Sequence, residues 1–132
     1  MANPRRYAFQ FRSSPVPAVT DIFAEINIGA SGAPTLVALH GVGVTSVVKN
    51  ATGKYTIALD NLYPRLLAVQ YTAIGASGAV AAAPDLTVLA NNVASAGTIQ
   101  IETSTGGVAT NPASGEVMLL QITLKNSSIP VG

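Results

Sequence analysis

Relay and hydrolytic chemistry most often runs through histidine, and this chain has one, His40. It follows the apolar run Leu36–Leu39 and precedes Gly41, which places it at a strand end. A triad would also need an acid and a nucleophile beside it, and nothing in the sequence sets them there. The acids Asp21, Glu25, Asp60, Asp85, Glu102 and Glu116 are scattered singly. Asp21 and Glu25 fall on one strand face, where solvation accounts for them without a paired-carboxylate site. One histidine and dispersed acids make no metal-ligand cluster. The absence of cysteine removes thiol nucleophiles, zinc-thiolate sites and disulfides. Gly53-Lys54 lacks the upstream glycine of a phosphate-binding loop, and Gly41-Val42-Gly43 has Ser46 where a third glycine is required. Asn50-Ala51-Thr52 and Asn126-Ser127-Ser128 match the glycosylation acceptor pattern and are read as turns. No enzyme activity, no metal and no cofactor are expected.

The composition points to protein surfaces instead. The 132 residues are 48% hydrophobic and only 10% charged, against about 25% charged in an average chain. Disordered chains are poor in apolar residues and rich in charge, so a folded core is expected. With 13 charges for the whole surface, part of that surface is expected to face another protein. A net charge of +1 is too balanced for a partner recognised through phosphate neutralisation, so no nucleic acid is expected. The charge-free stretches Ile26–Val48 and Leu66–Pro84 are broken by glycines and polar residues, so neither reads as a membrane span. Met1–Arg12 has arginines but no apolar segment after them, unlike a secretory signal.

Period-two alternation recurs along the chain. Ile22, Ala24, Ile26 and Ile28 share one face of Thr20–Ile28, and Tyr55, Ile57 and Leu59 share one face of Lys54–Asp60. Ile99 and Ile101 do the same in Thr98–Thr103, as do Met118, Leu120, Ile122 and Leu124 in Glu116–Lys125. Each pattern predicts a strand with one buried face. Val117 and Leu119 make the last strand apolar on both faces at one end, which predicts cover on its second side. Further strands are predicted at Thr35–His40, Gly43–Lys49, Arg65–Ala73 and Asp85–Ala90. Asn50–Gly53 should close a hairpin between Gly43–Lys49 and Lys54–Asp60, and Pro64 should mark a strand edge or beginning. About eight short strands separated by Gly- and Ser-rich segments predict an all-β, β-sandwich or jelly-roll-like domain over residues 19–132.

Ile28-Gly29-Ala30-Ser31-Gly32-Ala33 recurs as Ile74-Gly75-Ala76-Ser77-Gly78-Ala79. The two copies are either unrelated connections of convenient composition or two tight turns at one end of the fold that pack on a neighbour.

Residues 1–18 are expected to be an extended N-terminal arm, punctuated by Pro4, Pro15 and Pro17. Tyr7, Phe9 and Phe11 alternate, and Arg5, Arg6 and Arg12 give it a charge of +3 with no acid. These six residues are read either as an interface arm, with three aromatic anchors on one side and cationic tips for an acidic partner, or as part of an edge strand pairing with its own domain. Aromatic residues and arginine are the types enriched at interface anchors.

The order of the turn and strand segments carries a resemblance. Gly29–Leu36 comes first, then Gly41–Val48, Thr52-Gly53-Lys54-Tyr55-Thr56-Ile57 and Tyr63-Pro64-Arg65-Leu66-Leu67. Ala90-Asn91-Asn92-Val93, Asn111–Glu116 and Leu124-Lys125-Asn126-Ser127 follow. This order resembles the head decoration, or cement, proteins of tailed bacteriophages over about Ile28 to Ile129. The resemblance implies a structural virion protein with a compact β fold, formed in the host cytoplasm and placed on the capsid surface. It implies the major capsid protein as a partner, and self-association as a dimer or trimer. It brings no catalytic residues. The alternatives are a self-assembling shell or tail component, or a receptor- or glycan-binding β module on a virion spike, although such modules usually show aromatic platforms and this chain has no Trp and four dispersed tyrosines.

Overall fold

A computed structural model of the chain describes residues 19–37 and 43–125. Nine strands follow one another: β1 (Val19–Ile28), β2 (Pro34–Val37), β3 (Val44–Ala51), β4 (Lys54–Leu59), β5 (Arg65–Ile74), β6 (Asp85–Asn92), β7 (Thr98–Thr105), β8 (Val108–Ala109) and β9 (Val117–Lys125). All pairings are antiparallel. One sheet runs β2-β1-β9-β5, the other β3-β4-β7-β6 with β8 against β7. The chain is an all-β sandwich.

The predicted inward faces are the core. Ile22, Ala24, Ile26 and Ile28 of β1 and Met118, Leu120, Ile122 and Leu124 of β9 are buried against Tyr55, Ile57, Leu59, Ile99 and Ile101 of the second sheet. Each strand contributes alternate side chains to one face, which makes the pattern readable. The β3–β4 hairpin forms as expected, with Ala51 opposite Lys54 across Thr52-Gly53. Pro64 immediately precedes β5, where its missing N–H breaks no ladder.

Other expectations differ from the structure or fall outside the described residues. β2 begins at Pro34 and is described to Val37; its predicted continuation to His40, and His40 itself, lie outside the described residues. The segment Ser104–Gly115 is not a bare connection, because β8 pairs with β7 across the Gly106-Gly107 turn. Val117 and Leu119 gain no second layer among the described residues. They lie half-buried on the outer face of a central strand, shielded in part by their neighbours on β1 and β5. The N-terminal segment 1–18 also lies outside the described residues.

β5 carries a bulge between Leu66 and Ala68 that shifts its register on β9 by one residue. Side chains alternate with period two, so such a shift moves every later residue to the other face. Val69, Tyr71 and Ala73 therefore lie opposite the inward-facing Ile122, Leu120 and Met118, and Ile74 is sent outward. The two isoleucines of the repeated hexapeptide thus end up differently: Ile28 is 4% exposed and Ile74 is 48% exposed.

Candidate functional site

Both hexapeptides lie at one end of the first sheet, because β1 and β5 flank β9 and run in the same direction. Asn27 and Ile74 face Val117 from opposite sides. Each hexapeptide forms a single 3₁₀ turn with serine in the left-handed region, Ser31 at φ 57° and Ser77 at φ 51°. The two turns therefore stand at one end of the fold, on either side of β9.

Polar groups from both sheets converge at this end. The Tyr55 hydroxyl donates to the Gly32 carbonyl at 2.7 Å, and the Tyr71 hydroxyl donates to the Ala83 carbonyl at 3.0 Å. The Thr105 hydroxyl donates to the Ala82 carbonyl. Glu116, which reads in the sequence as a scattered acid, is 2% exposed; its Oε2 accepts the Ala82 N–H at 2.9 Å. Its other oxygen has no hydrogen-bond partner among the described residues. The bonds to Ala82 and Ala83 hold the Ala79–Pro84 connection against the sandwich, and the Tyr55 bond ties the first turn to the second sheet.

Burial raises the Tyr55 hydroxyl to about 12. Tyr71 also rises to about 12, through burial first and then the nearby Glu116 carboxylate and Tyr55. Tyr63 is raised chiefly by burial, with a further contribution from Asp60. A raised tyrosine pKa means that the fold favours the neutral phenol. That contribution is complete below pH 10 and is lost as pH rises toward 12. The denaturant midpoint should therefore fall steeply between pH 10 and 12, with roughly 3 kcal/mol at stake for Tyr55 alone. Tyr55→Phe should be less stable at neutral pH and show a shallower alkaline decline. A flat midpoint through pH 12 would contradict this assignment.

The outer face of the first sheet carries an exposed aromatic ring. A cross-strand row runs Phe23–Gln121–Gln70 through β1, β9 and β5. Phe23 is 61% exposed, and with Gln70, Thr72, Leu119, Leu120 and Gln121 it lines a shallow hollow of about 220 Å³. Asp21 and Glu25 lie to either side of Phe23 along β1, and Asp21 accepts the Thr123 hydroxyl at 2.7 Å. The outward position of Phe23 is legible from the strand pattern, but alternation alone does not mark it as an interface residue. Among the described residues no three His, Asp or Glu side chains lie close enough to hold a metal ion. No described helix is long and apolar enough to cross a membrane. Arg5, Arg6, Tyr7, Phe9, Phe11 and Arg12, the expected interface residues, all lie outside the described residues.

No protein-family model, curated protein or solved structure matches this chain.

Proposed function

We propose that this chain is a structural virion protein that binds the outside of a phage capsid lattice and stabilises the head, through contacts between its own copies and apolar contacts to the capsid. The observation that carries the reading is its apolar, charge-poor exterior. Phe23, Leu62, Val80 and Val108 are each well exposed on a sandwich that has only 13 charges in the whole chain. Where such side chains adjoin, with so few charges between them, a covering protein is the favoured partner. Of the segments that carry the resemblance to decoration proteins, Gly29–Leu36 spans the turn after β1 and the start of β2, and Asn111–Glu116 leads into β9.

Decoration works by repetition. A contact burying about 800 Å² per partner is of ordinary size, and apolar area contributes about 25 cal/mol per Å² before the costs of association. Many such contacts, each joining neighbouring capsomers, oppose outward pressure from packaged DNA without any one being tight. An arm that reaches onto a neighbour raises avidity in the same way.

The test uses heads assembled without this chain. Full-length protein should sediment with them, while protein lacking residues 1–18 should remain folded and bind at least about tenfold more weakly. Equal binding by the truncated protein would mean that the arm takes no part in attachment, and no binding by either would remove decoration.

The row of Phe23 with Gln70 and Gln121 supports a second reading, since an exposed ring flanked by amides is a surface a sugar could stack on. Binding on a glycan array that Phe23→Ala abolishes, with no binding to heads, would favour the spike-module reading.

A further inference from the structure

The side of the sandwich formed by β5 and β6 is an unguarded edge. Each strand ends its sheet, and among the described residues neither has a strand on its outer side. Edge strands are ordinarily blunted by charge, proline or short length, because their open N–H and C=O groups recruit other strands. β5 is ten residues long and β6 eight, and from Leu66 to Ile101 the sequence holds one charged residue, Asp85. Both strands carry a bulge, but the extra residue is a leucine each time, Leu67 in β5 and Leu89 in β6, and both are exposed. Six of the nine large apolar side chains exposed among the described residues lie between Leu62 and Leu89.

The charges at the ends of this edge define what fits it. Arg65 opens β5 at one end of the sandwich, paired in register with Lys125 of β9. The chain runs up β5, crosses over through Gly75–Pro84, and starts down β6 at Asp85, at the opposite end. Arg65 and Asp85 are both exposed. A two-fold axis through the middle of the edge would set β5 antiparallel to its copy. Each Arg65 would then lie at the end where the other chain's Asp85 stands. The edge is therefore complementary to itself: uncharged along its length, with opposite charges brought together twice.

We propose that the β5–β6 edge is the surface through which two copies of this chain associate, as an isologous dimer with Arg65 facing Asp85 across the two-fold. The inference deepens the proposed function by naming the surface and symmetry of self-association, the part of that function on which it rests. It does not require a capsid.

Sedimentation equilibrium of the full-length chain tests it. The wild type should have twice the 13.4 kDa chain mass. Arg65→Glu alone and Asp85→Arg alone should each raise the dimer dissociation constant about tenfold, because each turns two attractions into two repulsions. The double exchange should return it to within about threefold of wild type. A monomeric or trimeric wild type would overturn the proposal. So would single variants that dimerise normally, or a double variant weaker than either single. Loss of the dimer on deleting residues 1–18, with both charge variants unaffected, would assign association to the arm instead. A dimer that fails to bind heads would leave this interface standing and remove decoration.

Discussion

Ile122→Asp should leave the chain unfolded. Ile122 is 0% exposed on β9, an interior strand of the first sheet, between Ile22 of β1 and Val69 of β5. Above it lie the isoleucines of the second sheet, so the carboxylate would meet neither water nor a cation. An unpaired charge in such a place costs several kcal/mol on top of the forfeited apolar packing, against a total stability of about 5–15 kcal/mol for a domain. Leu120→Asp, two residues earlier on the same face between Ala24 and Tyr71, should do the same. Ile122→Val, which removes one methylene, should cost only about 1 kcal/mol. Far-ultraviolet circular dichroism with a thermal melt decides it. A soluble Ile122→Asp protein that melts cooperatively near the wild-type temperature would show that the inward face of β9 is misassigned.

Gly53→Val should be the next most damaging change, by about 3 kcal/mol or more. Gly53 closes the β3–β4 hairpin at φ +69°, a conformation that penalises any side chain. It is also enclosed: a Cβ would stand 2.6 Å from the Thr103 carbonyl oxygen and 2.9 Å from the backbone of Thr110. The Thr103 N–H donates to the Gly53 carbonyl at 2.7 Å, and the Gly53 N–H donates to Asn111 Oδ1 at 2.8 Å. A side chain would therefore push apart the bonds that tie the hairpin to β7 and to the segment after β8. Gly107→Val is the control, since Gly107 also has positive φ, at +84°, but nothing lies within 4 Å of its Cβ position. It should lose only the conformational part, about 1–2 kcal/mol. Equal losses in urea midpoint would mean that the enclosure of Gly53 contributes nothing.

The sandwich is legible in the sequence because its buried faces alternate without interruption, as in Ile22, Ala24, Ile26 and Ile28. What escapes has identifiable causes. β8 is two residues long, too short for any period, although Gly106-Gly107 is the dipeptide that a two-residue hairpin with positive φ at both positions prefers. The bulges at Leu67 and Leu89 add one residue without changing composition, so the outward turn of Ile74 cannot be read from alternation. Glu116 reads as an ordinary acid before a strand. Its burial comes from the Ala79–Pro84 connection folding back on it, 34 residues away in sequence at Ala82. The assignment of strands to two sheets, and so the shared edge of β5 and β6, depends on long-range pairing that no local pattern encodes. The residue types of the arm suggest one interface. The described residues add surfaces of a different kind, an outer face with an exposed aromatic ring among polar side chains and an uncharged edge.

The most direct test of capsid decoration is electron microscopy of heads assembled without this chain, imaged before and after adding the purified protein. Decoration predicts new density on the outer surface, repeated with the symmetry of the capsid lattice. Unchanged heads, or density confined to the tail or to the interior of the shell, would contradict it.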